Sequence, residues 1–260
     1  MIRLAKTDMV YRPNLLINGD FQVWPRGESF TIQSSQTNKT AAMWQLQNQR
    51  ETAAQIFHQT TDEGKGTGFG FPGLSSMRIY QWLPIEVMKP YEGKKMTRIW
   101  SVNKQVSKEE FTLDLTENIN GGYWRAFYYL SSSNDVLNFA GLYEGSVGTH
   151  FIEDEATALM KSQEWVYRIP NALIGYGGGS GNLWFSVPHL LNMKGVPSIS
   201  TSSSANIVCE GRITSVSNIT LQFNSTYKTL QSSDYEGQNN FISKVVGLYF
   251  AEDIIFSCEP

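Results

Sequence analysis

The residues of this chain best suited to chemistry are aromatic rings set beside polar side chains. Trp124-Arg125-Ala126-Phe127-Tyr128-Tyr129-Leu130 alternates as a strand does. That places Trp124, Ala126, Tyr128 and Leu130 on one face and Arg125, Phe127 and Tyr129 on the other. Both faces cannot be core throughout, so one is expected to present Tyr129 with Arg125. A β-sandwich can bind sugars through such groups: the apolar side of a pyranose stacks on an exposed ring, and Asn, Gln, Asp or Arg hold its hydroxyls in a shallow site. Gln22, Trp24, Trp44, Gln81 and Trp82 are the other candidates for carbohydrate binding. Trp24, Trp44 and Trp82 suit a sandwich core or a subunit interface better than a ligand site. Alternation assigns a residue to a face without saying which face meets solvent.

Other arrangements point to less. Gly68-Phe69-Gly70-Phe71-Pro72-Gly73 spells GxGxxG, but a dinucleotide fingerprint needs a strand before it and a helix after it. Pro72 stiffens this stretch and a strand follows, so a surface loop is expected. Gly177-Gly178-Gly179-Ser180-Gly181 lacks the helix that follows a nucleophile elbow. His58, His150 and His189 are far apart without metal-ligand spacing and read as structural. Asp20 suits a turn better than a calcium site. Glu109, Glu110, Asp114 and Glu117 could in principle pair for glycoside hydrolysis, but any acid-rich chain contains such pairs. The expectation is a non-enzymatic protein with no cofactor. Cys209 and Cys258 form no CxxC and are expected as reduced thiols, with a single disulfide as the rival.

The elements that must position these groups are mostly strands. Leu15-Leu16-Ile17 reads as a short strand, Asn18-Gly19-Asp20 as a turn, and Phe21-Gln22-Val23-Trp24 as a second strand in strict alternation. Residues 31–42 are polar and read as a loop. From Met43 onward short alternating runs recur every ten residues or so, including Met77–Trp82, Met96–Val102, Phe111–Leu115 and Trp124–Leu130. One helix is predicted over 153–170, with acidic residues at its start and Pro170 as its stop. After it come a glycine-rich loop at 175–181 and strands at 183–188, 206–213, 216–223 and 244–250.

Composition agrees. Of 260 residues, 13% are aromatic and 17% charged, with 22 Gly, a mix that favours strands and turns over helices. A net charge of −3 with no basic run supplies no electrostatic footprint for nucleic acid. No segment approaches the ~20 apolar residues of a spanning helix, so no membrane insertion is expected. The first residues contain no continuous apolar stretch of signal-peptide type.

Five segments, in order between residues 14 and 200, resemble a domain of bacteriophage tail-fibre and other virion proteins. Asn14 to Phe30 resembles the opening NLLINGNFxVWQRGTSF. Met43-Trp44 stands where those proteins often carry ADRW, here without the Asp-Arg pair. Met77–Gln81 with Tyr91–Thr97 resembles LRIxQ…LAGKKVT. Gly141–Phe151 followed by Ala158–Tyr167 is similar to QLExGSVATPFE and ELALCQRYY, and Ile174–Gly177 with Phe185–Pro188 to GYG…FPVPM.

The resemblance implies an all-β protein: a carbohydrate-binding-module-like jelly-roll β-sandwich over 15–152, joined by the short helix 153–170 to a β-rich tip domain over 171–260. It also implies a homotrimer and location in the virion. Residues 1–14, with Pro13 and no amphipathic period, read as an extended N-terminal arm, expected to dock to other virion proteins or to swap between subunits. The function implied is attachment to host cell-surface polysaccharide. A purely structural capsid or collar decoration protein is the alternative, and a polysaccharide-degrading tailspike-type enzyme a further one.

Overall fold

A computed structural model describes residues 12–49, 53–60, 67–70, 77–131, 135–169, 172–177, 182–187, 193–201, 204–210, 212–217, 219–224, 229–233 and 245–259. Residues 1–11 of the expected arm, His189 and most of the 177–181 glycine stretch lie outside them, as does the His58 side chain. The chain is all-β. It forms two compact units that are not a simple split of the sequence: the second takes Val23–Glu28 and Thr40–Met43 together with everything from Glu155 on.

The first unit contains β1 (Ser29–Ile32), β2 (Thr37–Lys39), β3 (Gln45–Asn48), β4 (Ala54–Thr60), β5 (Thr67–Gly70) and β6 (Met77–Pro84). A one-turn helix α1 (Ile85–Met88) and a 3₁₀ turn lead into β7 (Lys95–Val102), β8 (Gln105–Thr112), β9 (Ile119–Asn120), β10 (Tyr123–Ser131) and β11 (Val136–Glu144). They build two antiparallel sheets, β1-β4-β5-β11-β7-β8 and β2-β3-β6-β10-β9. Trp100 on the first sheet meets Phe127 on the second edge-on, ring centroids 6.4 Å apart, so the two pack against each other. Strand β6 shows why: Met77, Ile79 and Leu83 are buried while their neighbours Arg78, Tyr80 and Trp82 are partly exposed.

The second unit contains α2 (Glu155–Gln163) and β12 (Val166–Ile169). These are followed by β13 (Ala172–Gly177), β14 (Leu183–Phe185), β15 (Ser198–Ser200), β16 (Ser204–Cys209) and β17 (Arg212–Ser217). The last strands are β18 (Thr220–Asn224), β19 (Thr229–Ser233), β20 (Val245–Phe250) and β21 (Ile254–Ser257). A three-stranded sheet, β12-β21-β15, and a seven-stranded one, β17-β16-β20-β13-β14-β19-β18, share a core of Leu173, Phe185, Ile207, Leu248, Ile254 and Phe256. Segments 23–28 and 40–43 are anchored here by Glu259. Its buried carboxylate accepts from the Arg26 guanidinium, from the Ser257 hydroxyl at 3.0 Å and from the Met43 backbone N–H.

Several elements differ from the sequence expectation. The helix stops at Gln163, and Val166–Ile169 is a strand, because this β-branched and aromatic run has a partner in β21. Residues 15–24 form no strand. Asn18 and Phe21 have φ of 54° and 53°, and the segment coils through turns. Gly19 allows it to approach β11, since a Cβ there would lie 2.3 Å from the Ala140 carbonyl oxygen. Gly68 and Gly70 belong to β5, paired on both sides, rather than to a surface loop. Gly175 is likewise inside β13, where a side chain would strike the Trp184 carbonyl at 2.2 Å. The polar 31–42 stretch carries β2 and the end of β1. Strand β8 is almost wholly exposed and therefore carries no apolar alternation. It is set by a two-residue turn, Asn103-Lys104, whose φ values of 50° and 66° fit a type I′ hairpin. Cys209 and Cys258 are both free thiols.

Candidate carbohydrate-binding face

The outer side of the five-stranded sheet collects the aromatic and polar groups. Side chains opposite each other on paired strands share a face, and the register gives three rows. Arg125 stands opposite Trp82. Tyr128, Tyr80, Gln45 and Lys39 form a second row, and Leu130, Arg78, Gln47 and Thr37 a third. Apart from the more exposed Leu130 and Thr37, all are partly exposed. Tyr80 and Trp82 meet edge-on at 5.8 Å. The Arg125 guanidinium lies 4.6 Å from the Tyr128 ring centroid and 5.9 Å from that of Trp82, and Arg78 lies 5.7 Å from Tyr128. Arg125 is also held by its backbone N–H to Asn118 O and by its guanidinium to Asn118 Oδ1 at 2.7 Å. From Arg78 to Trp82 this surface runs ~13 Å along β6, and it crosses four strands at ~4.8 Å each. It is lined by rings and hydrogen-bonding groups, and carries Lys39, Arg78 and Arg125 with no carboxylate in the three rows.

A β-bulge makes the face what it is. Arg125 pairs with Trp82 and Phe127 with the next residue of β6, Gln81, so β10 carries one extra residue. Beyond it the alternation inverts. Phe127 turns into the core against Trp44, and Tyr128 moves to the side of Arg125. Tyr129, expected beside Arg125, instead pairs with inward-facing Ile79. Its hydroxyl donates to Asp135 at 2.8 Å, and burial first, then that carboxylate, raises its pKa well above the ordinary tyrosine value.

Of the seven sequence candidates, Trp82 and Arg125 lie on this face. Trp44 and Gln81 are wholly buried and serve the core instead. The Trp44 indole N–H donates to Asn18 O at 2.9 Å, and its ring packs edge-on against Phe21. Gln81 Oε1 accepts from Ile17 N–H and its Nε2 donates to Ile17 O, both at 2.8 Å, so its amide acts as a piece of strand for the coiled segment. Asn14 does the same on the other side, accepting from Leu142 N–H and donating to Ala140 O. Trp24 is buried in the second unit, 8% exposed. Gln22 donates to the Glu153 carbonyl at 3.0 Å and takes no part in the sheet. Sequence reasoning missed Tyr80 and Arg78, although the β6 alternation places both beside Trp82. It also placed Tyr128 opposite Arg125, because nothing in the run 124–130 marks the bulge.

Other titratable groups among the described residues are engaged in contacts within the fold. His150 stacks on Phe139 at 4.0 Å, its Nδ1 lies 2.8 Å from the Tyr143 hydroxyl and its Nε2 2.6 Å from Asp20 Oδ1. Asp20 Oδ2 accepts from Glu153 N–H. Asp20 thus staples the segment after β11 rather than only its own turn. Tyr143 is 0% exposed, which closes this Asp–His–Tyr chain to substrate. Glu110 is bonded by Lys108 and Lys95, which lower its pKa to about 2, and Asp114 is lowered by the Thr116 hydroxyl and backbone N–H. Among the described residues no three His, Cys, Asp or Glu converge as metal ligands. Comparison of the chain with protein-family models, with curated proteins and with solved structures finds no match.

Proposed function

We propose that this chain is a non-catalytic bacteriophage fibre protein, of tail or head, that attaches to host cell-surface polysaccharide through the outer face of its five-stranded sheet. The observation that carries the reading is the set of three cross-strand rows, with three rings side by side and glutamine and arginine side chains between them. An exposed ring supplies the stacking surface for a pyranose, and the amide and guanidinium donors meet its hydroxyls. The resemblance of residues 14–200 to virion proteins supports the phage assignment, the jelly-roll class of the first unit and the trimer. Such a site binds each glycan weakly, and linked copies gain ~10²–10⁴ in avidity.

The second unit supports self-association. On the outer side of its seven-stranded sheet, Val245 and Ile213 are about 70% exposed, Ile174 is 75% exposed, and Tyr176 and Tyr249 are exposed beside them. The strand register sets these apolar groups on one face, whose suited occupant is an equally uncharged surface, such as the same face of another copy. That surface also favours the rival reading of a purely structural decoration protein.

Immobilised capsular and cell-wall polysaccharides, probed with the full chain, separate the two. Attachment predicts binding that Trp82→Ala or Tyr128→Ala lowers at least tenfold with the circular dichroism spectrum unchanged. No binding to any polysaccharide, nor adsorption to host cells, refutes it and favours decoration.

A further inference from the structure

Two arginines converge on one ring of the proposed face. The guanidinium carbons of Arg78 and Arg125 lie 5.7 and 4.6 Å from the Tyr128 centroid, which bounds their separation at about 10 Å. That is about one Debye length at 0.1 M salt, so part of their repulsion survives screening. Neither has a carboxylate partner among the described residues. Arg125 uses one N–H on the neutral Asn118 side chain, and the buried Nε of Arg78 has no hydrogen-bond partner. Several other cations among the described residues do have a carboxylate partner: Lys94 with Glu144, Lys95 and Lys108 with Glu110, Arg168 with Asp253, Lys194 with Glu164. In a chain of 24 acidic and 21 basic residues, two uncompensated guanidiniums flanking a ring leave room for an anion supplied from outside.

We infer that the ligand of this face is an acidic glycan, one whose sugar rings carry an oxyanion, either a carboxylate or a phosphate. This rests on the glycan-attachment reading above and narrows it. A guanidinium offers two parallel N–H groups that match a planar carboxylate or a phosphate edge, while the adjoining rings of Tyr80, Trp82 and Tyr128 take the sugar.

The experiment measures binding of the full chain to polygalacturonate, to its fully methyl-esterified form, to a phosphate-bearing wall teichoic acid and to neutral dextran. Either acidic polymer should bind at least tenfold more tightly than the ester and dextran, with affinity falling as salt rises. Arg78→Gln and Arg125→Gln should each remove about tenfold of that preference, with melting temperature unchanged. Preference for polygalacturonate assigns a carboxylate site and preference for the teichoic acid a phosphate site. Equal binding of ester, dextran and acids, with the arginine variants unaffected, overturns the acidic-ligand inference and leaves glycan attachment standing. Binding to none of the four, nor to any other glycan, overturns both.

Discussion

Replacing Gln81 separates a structural role from a sugar-binding one. Its amide is wholly buried and makes two 2.8 Å bonds to Ile17, one to the backbone N–H and one to the carbonyl. Gln81→Ala removes both partners and leaves two backbone groups in an apolar setting, each costing about 1–3 kcal/mol. Water entering the vacated space offsets part of this, so the expected loss is about 3 kcal/mol. For a unit of roughly 150 residues that lowers Tm by about 6–12 °C. Gln81→Glu is sharper. It keeps an acceptor for Ile17 N–H but sets a carboxylate against Ile17 O, so its folded-state pKa must rise above the ordinary ~4.3. A raised folded pKa means that the stability is fully present below the unfolded value and is lost as pH rises through the folded one. The Glu variant should therefore match the parent more closely near pH 4 than at pH 8. Urea denaturation at both values measures this. A loss below 1 kcal/mol for Gln81→Ala, or a Glu variant with no pH dependence beyond the parent's, refutes the assignment.

Further outcomes follow from other residues. Glu259→Ala strands the Arg26 guanidinium and the Met43 N–H in the second unit and should cost about 3–5 kcal/mol, read by denaturant titration. With Arg26→Ala added, the double variant should lose less than the sum of the single losses. In solution the chain should scatter light as a trimer, and Ile174→Asp, which charges the exposed apolar face, should yield monomer without unfolding it. A parent that is monomeric at micromolar concentration removes that role from the face. Tyr129 should ionise above the ordinary tyrosine range in an ultraviolet titration, and Tyr129→Phe should remove one late-titrating group. Because its folded pKa is raised, its contribution is present below pH ~10 and fades only in stronger alkali.

Much of the fold was legible in the chain itself. The alternation of Met77 to Leu83 sorts buried from partly exposed positions correctly, since a strand with one wet face must repeat every two residues. Aromatic and glycine content, with few charges, suffices for an all-β chain. What periodicity could not supply came from partners distant in sequence. One inserted residue in β10 reversed the sides of Tyr128 and Tyr129, and a bulge leaves no compositional mark. Gln81 and Trp44 were candidates for solvent because they are polar or aromatic, yet a coiled segment starting at Asn14 needed their donors and acceptors. Val166–Ile169 had helical spacing nearby, and the edge offered by β21 made it a strand. Local sequence determined which residues alternate; only the pairing of remote strands decided which side of that alternation meets water, because burial is a property of the neighbour and not of the residue.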